Sequence, residues 1–130
     1  MPIGAQVVAM RAGVAIHVEA SHRDGEVANK GFDNYVVIRH DDGTHALYAH
    51  LTHGGVDCEL GSRVAQGQGI GRSGNTGNTN NFAHLHVAMH ICDPVANGSD
   101  DCPTWPLSFK NTEPHPKGLN RDQTYTALSF

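Results

Sequence analysis

The segment F-A-H-L-H-V-A-M-H-I, Phe82 to Ile91, holds three histidines, with His84 and His86 two apart and His90 four further on. On a strand, alternation puts His84, His86, Ala88 and His90 on one face and Leu85, Val87, Met89 and Ile91 on the other. A second strand-like segment, Y-A-H-L, carries His50 on a polar face. Positions i and i+2 of a strand stand roughly 6.5–7 Å apart, so two histidines of one strand do not share an ion unless the strand distorts. One can be a ligand while its neighbour reaches the substrate or water beside the metal. His50, from a neighbouring strand, then completes a ligand, a proton acceptor and a transition-state stabiliser around one point. Metal-assisted hydrolysis needs that layout: the ion lowers the pKa of bound water, and a histidine takes its proton or stabilises the oxyanion. An isolated H-x-H is more often surface decoration, so its weight depends on context.

The elements around these histidines read as short strands punctuated by glycine, with no convincing helix. Gln6 to Met10 and Gly13 to Ala20 are strand-like, and residues 21–33 are a polar loop. Asn34 to His40 is the strongest strand, rich in β-branched residues. Asp41-Asp42-Gly43 is a hairpin-turn signal. Thr44 to Leu51 returns, alternating Ala46, Tyr48 and His50 with Leu47, Ala49 and Leu51. Leu60 to Asn81 is a set of tight turns around two short apolar stretches, and its end, from Gly71, is almost all small and polar. The pattern predicts an all-β domain, a single antiparallel sheet or sandwich with few or no helices. Residues 1–91 form its core. Residues 92–130 form a proline-rich extension packed on the same domain, with strand-like pieces at Leu107 to Phe109 and Thr124 to Leu128.

The bulk properties agree with one compact domain: 130 residues, 38% hydrophobic, with 15 glycines. Nine Lys and Arg against 13 Asp and Glu give a charge of −4 without any basic patch, which disfavours nucleic-acid binding. No apolar run reaches the length of a membrane span, and Met1-Pro2-Ile3-Gly4 leads into strand-like sequence without the regions of an export signal. Ten histidines is a high count for this length; the blander reading leaves several of them on the surface. Of the three cysteines, Cys92 and Cys102 bracket a loop that a disulfide could close, which would suit an oxidising compartment; the alternative is three free thiols.

Taken together, the Y-A-H-L strand (Tyr48 to Leu51), the G-x-x-V-x-x-G-Q-x-I-G turn (Gly61 to Gly71), the S-G-N-T-G loop (Ser73 to Gly77) and H-L-H (His84 to His86) resemble the lysostaphin/LytM-type zinc metallopeptidases. These are bacterial cell-wall endopeptidases built on the duplicated hybrid motif fold. The resemblance runs from about Pro2 to Ile91. It implies zinc as cofactor with His86 as a ligand, and His50 and His84 as the catalytic histidines flanking the metal-bound water. It also implies that a flexible loop, Ser73, Gly74, Asn75, Thr76 and Gly77, borders the substrate groove. The substrate implied is a peptide stem or cross-bridge of peptidoglycan, and the location is the bacterial cell envelope or the exterior. His90 has no family role and is expected to be a partly exposed structural residue.

The family also uses two ligands from an H-x-x-x-D motif, whose Asp commonly lies three residues before an M-P pair like Met1-Pro2. The alignment expects both upstream of Met1, which would leave the zinc site incomplete, since a catalytic site usually has three protein ligands. The one H-x-x-x-D present, His53 to Asp57, falls after Y-A-H-L in an expected loop and reads as coincidence. His17, His22, Asp24 and Asp33 are the other side chains that could replace the absent ligands, with none preferred. The chain then starts at an internal methionine of a longer enzyme, which is the favoured explanation, or is a non-catalytic relative, or borrows ligands from another chain. Two other functions compete with the peptidase: a cell-wall or partner-binding module using the same groove without hydrolysis, and, less well supported by the motifs, a phosphocarrier histidine domain.

Overall fold

The computed structural model describes residues 1–25, 33–98, 101–109, 112–113, 119–120 and 124–127. Among them there is no helix, and ten strands: β1 Gln6–Val8, β2 Gly13–Glu19, β3 Asn34–Arg39, β4 His45–Val56, β5 Arg63–Val64, β6 Gly69–Ser73, β7 His86–His90, β8 Thr104–Trp105, β9 Thr112–Glu113 and β10 Thr126–Ala127. Eight of them make one antiparallel sheet in the order β1-β6-β4-β3-β2-β5, with β7 pairing both β4 and β8; β9 and β10 pair separately. The all-β, single-sheet architecture read from the sequence is the one present.

One face of this sheet is the core. Val36 and Ile38 of β3, Ala46 and Tyr48 of β4, Val64, Ile70 and Met89 pack together, with Leu85 and Val87 against them. Alternation of β-branched and apolar residues produces this face directly. Tyr48 is buried to its tip, and its hydroxyl oxygen accepts a bond from the Met10 amide at 2.9 Å, so the one polar atom that it brings inside is satisfied. Ile91, expected on the same face as Met89, lies beyond the end of β7 and is exposed.

β4 is the branch point of the sheet. One edge pairs with β3. The other is shared: His45 to Ala49 pair with β7, while Leu51 and Val56 pair with β6. The sequence reading ends this strand at Leu51 and puts His53 to Asp57 in a loop, but β4 continues to Val56. The H-G-G run looks like a loop because Gly54 has φ +61°; its pairing with β6 depends on residues far along the chain and is invisible locally. The His53-to-Asp57 spacing forms no ligand pair: the His53 ring nitrogen Nδ1 donates to the His22 carbonyl at 3.2 Å, and Asp57 faces Arg72 at 3.7 Å.

The opposite face carries a second row of histidines. His45 and His90 are directly opposed on β4 and β7. His90 is buried at 3% exposure, not partly exposed as the sequence suggests. The cause is the chain after Cys92. The Cys92–Cys102 disulfide returns it to the sheet, where β8 pairs with β7 and the Cys102 carbonyl accepts from His90 Nδ1 at 2.9 Å. His17 Nε2 and Asp93 Oδ2, 2.8 Å apart, tie the same segment to β2. The strand in this stretch is Thr104–Trp105, and Leu107 to Phe109, expected to be strand-like, are not in one. Of two other expectations, residues 26–32 of the polar loop and residue 128 of the last strand-like piece lie outside the described residues.

Burial pushes the His45 imidazole below its usual range, a shift that Asp93 partly opposes. The folded chain therefore resists a proton that the unfolded chain accepts near its ordinary value of 6.5. Stability contributed this way is complete above roughly pH 7 and is lost as pH falls through that window. Urea unfolding at pH 7.5 and at pH 5.0 should show a loss at the lower pH that His45→Gln reduces; an identical pH slope in the variant would remove His45 as the cause.

Candidate active site

The three histidines singled out by spacing come from three different backbone contexts. Asn34 pairs with Leu51 and Tyr35 with Ala49, so His50 is the extra residue of a β-bulge. Its φ of 62° is in the left-handed region, unusual for a side chain with a Cβ. The bulge has a consequence that strict alternation misses. Tyr48 and His50 were expected on one face with Leu51 on the other, yet Tyr48 and Leu51 share the core. The added residue turns His50 away from the core and toward the rings of His84 and His86.

His84 precedes β7 and meets Gly74 in an isolated antiparallel bridge. His86 opens β7, opposite Ala49. The convergence therefore sits where β6 and β7 separate along the shared edge of β4. The His50 ring centroid is 4.8 Å from that of His84, tilted by 54°, and 5.8 Å from that of His86, nearly perpendicular at 86°.

Hydrogen bonds fix which nitrogen each ring presents. His50 Nδ1 lies 2.8 Å from the Thr76 carbonyl, and His84 Nδ1 lies 3.0 Å from the Phe82 carbonyl. A carbonyl only accepts, so both Nδ1 atoms carry the hydrogen. In the neutral rings both Nε2 atoms then keep a lone pair, the form of a proton acceptor. His86 differs. His86 is exposed at the opening of β7, yet desolvation of its ring within the cluster, then the neighbouring His50 and His84, push its pKa below the usual imidazole range, against an opposite pull from Asp33. It stays neutral at neutral pH, with a lone pair free for a cation or a proton.

The Ser73-to-Gly77 segment holds these rings rather than presenting side chains outward. Ser73, Asn75 and Thr76 are buried. Ser73 Oγ accepts from the Ala5 amide at 3.1 Å and donates to the Pro2 carbonyl at 2.7 Å. Gly74 N donates to the His50 carbonyl at 2.8 Å, so one residue bridges the backbones of both His50 and His84. Thr76 Oγ1 donates to the Leu51 carbonyl and accepts from the Asn34 amide. Asn34 is fully buried at the start of β3, where its side chain bonds the backbone of His22 and Leu51. Sequence reasoning assigned Asn34 nothing; a polar residue opening an otherwise apolar strand was the available signal.

The other proposed replacement ligands are otherwise engaged or dispersed. Asp24 spends both oxygens on Thr52, His53 and Asn75, and His17 pairs with Asp93. Among the described residues, no group of three His, Cys, Asp or Glu side chains is arranged to hold a metal ion. The donor set thus fits the proton-handling side of a hydrolytic centre and does not by itself fit a three-ligand metal site.

Known proteins resemble the chain in sequence and in fold. The profile of peptidase family M23 matches residues 1–99. The peptidoglycan DD-endopeptidase ShyA of Vibrio cholerae is 36% identical over 91 residues, 70% of this chain and 19% of that protein. The catalytic domain of the antimicrobial peptidase lysostaphin from Staphylococcus simulans superposes with a TM-score of 0.62 at 26% identity, covering 80% of this chain and 69% of that one. A zinc-containing peptidase from Vibrio cholerae superposes with a TM-score of 0.54 at 31% identity, over 68% of this chain and 24% of that one. The chain spans 13% and 19% of the lengths of two curated relatives that it matches.

Proposed function

The chain belongs to peptidase family M23, and from that premise we propose that it is a peptidase domain hydrolysing peptide bonds of bacterial peptidoglycan, in the cell envelope or outside the cell. Its relatives' activities point the same way: one is a peptidoglycan endopeptidase and another an antimicrobial peptidase. The observation that carries the reading is the convergence of His50, His84 and His86, with two of the rings locked as Nδ1–H tautomers.

His50 and His84 are the residues that move the proton. Each offers Nε2 to a water or to the scissile amide. Once protonated, the same nitrogen donates to the developing oxyanion or to the departing amine. His86, kept neutral, is the one member of the trio assigned to a metal. The family is zinc-dependent, and zinc would supply an activated water; the remaining ligands are not grouped among the described residues. The backbone of Ser73 to Gly77 frames the groove that receives an extended peptide.

That no metal-holding group of three is found among the described residues also favours a second reading, a wall-binding module of the same fold that does not hydrolyse. Purified sacculi incubated with the chain and zinc separate the two. Hydrolysis releases new amino termini and shortened muropeptides, resolved by mass spectrometry. Co-sedimentation with sacculi, without any new amino terminus, would establish the binding module and overturn the peptidase reading.

A further inference from the structure

We propose that Asp24 is a positioning residue for His50, acting through the Ser73-to-Gly77 segment; this rests on the peptidase reading for its effect on rate, though not for its effect on the ring. Asp24 lies in the loop after β2, and its carboxylate joins two parts of the chain that must stay in register. Oδ2 accepts from Thr52 Oγ1 at 2.5 Å and from the His53 amide at 2.9 Å, both on β4 just past the bulge. Oδ1 accepts from the Asn75 amide at 2.9 Å. A second tie runs alongside, from the Gly25 amide to Asn75 Oδ1 at 2.9 Å. No hydrogen bond joins Asp24 to His50, His84 or His86 among the described residues.

The connection to His50 is geometric. The next residue after Asn75 is Thr76, whose carbonyl takes the His50 Nδ1 hydrogen at 2.8 Å. His50 needs external support because its backbone is in the left-handed region. Asp24 fixes the loop that supplies the acceptor and the strand that supplies the ring, with one rigid group between them. Burial raises the pKa of the carboxylate, but its bonds to Thr52, Asn75 and His53 together outweigh that and hold it below the usual range. It is therefore ionised whenever the enzyme is near neutrality, and its bonds are charge-assisted.

Two features separate positioning from simple packing. Asp24 bonds to the two flanks of the site with opposite oxygens, so replacing it unties both at once. The link it makes spans 51 residues to Asn75 and 28 to Thr52, which no local backbone preference replaces. Loss of the link unties Asn75 from Asp24 and leaves Thr76 held by its own side-chain bonds to Leu51 and Asn34, so its carbonyl can shift, and a displacement on the order of 1 Å at a reacting group costs roughly 100-fold in rate.

The test uses the whole chain and reads the ring directly. Nitrogen-15 correlation spectra at neutral pH report which ring nitrogen of His50 is protonated. The native chain should show the Nδ1–H form, as its bond to the Thr76 carbonyl requires. Asp24→Ala should give a mixture of both tautomers, and kcat on sacculi should fall roughly 10–100-fold with KM little changed. Thr52→Ser, which keeps the hydroxyl donor, should retain the native tautomer, whereas Thr52→Val should shift it part of the way. If Asp24→Ala lowers the melting temperature while His50 keeps a pure Nδ1–H form, the residue is structural only and the proposal is overturned. If the native chain shows no hydrolysis, the peptidase reading fails, and the tautomer spectra still decide the role of Asp24.

Discussion

His84→Ala should leave a folded domain that has lost roughly 10²–10⁴-fold in peptidoglycan hydrolysis. The side chain is exposed and precedes β7, and among the described residues its hydrogen bond is to the nearby Phe82 carbonyl. Little packing is therefore lost, and the unfolding free energy from urea melts should change by no more than about 0.5 kcal/mol, the usual range for an exposed site away from special features. What is lost is an Nε2 whose direction the Phe82 bond had fixed. His50→Ala should reduce the rate similarly and also lower stability, because the bond to the Thr76 carbonyl is lost while the left-handed φ of 62° stays strained for alanine. His50→Gly removes that strain, so it should be more stable than His50→Ala by about 1 kcal/mol while equally inactive. Rates on sacculi and urea melts of the three variants are the measurements. A His84→Ala chain with near-native turnover would remove this residue from the chemistry.

The sequence made the sheet legible where two neighbours on one strand decide an outcome. Val36 and Ile38 alternate into the core with Val87 and Met89 across the sheet, and a period of two suffices to find them. The histidine trio was legible too, because motif order placed Y-A-H-L ahead of H-L-H. Alternation failed at His50, since a bulge is created by pairing with Asn34 and Tyr35, not by any preference of Tyr48-Ala49-His50 itself. His90 looked half exposed because β7 alone does not reveal that the segment beyond Cys92 returns to cover it. The supports of the site were the least visible. Asp24 resembled a spare ligand, yet its partners lie in β4 and in the Ser73-to-Gly77 segment, and only the folded chain brings these together.

Gly74→Ala should be the most damaging single substitution near the site, because it strikes stability and geometry together. A Cβ at position 74 would lie 2.5 Å from both Thr52 N and Thr52 Cα, and 2.5 Å from Asp24 Oδ1. The first two are backbone atoms of β4 and cannot swing aside. The third belongs to a carboxylate already committed to Asn75. Relief therefore requires the Ser73-to-Gly77 segment to lift off β4, which breaks the Gly74-to-His50 backbone bond and the bridge to His84 in one movement. Overpacking of this kind costs about 1–3 kcal/mol where side chains can adjust. Here the obstacle is backbone, so a loss at or above the top of that range is expected in urea unfolding. The fraction that remains folded should also be impaired, since the carbonyl of Thr76 moves with the segment and His50 loses its acceptor. Activity per folded molecule, obtained by dividing turnover by the folded fraction from circular dichroism, distinguishes the two effects. A Gly74→Ala chain with native stability would mean that the segment tolerates displacement from β4, and the close approach could not then be what holds His50 and His84 together.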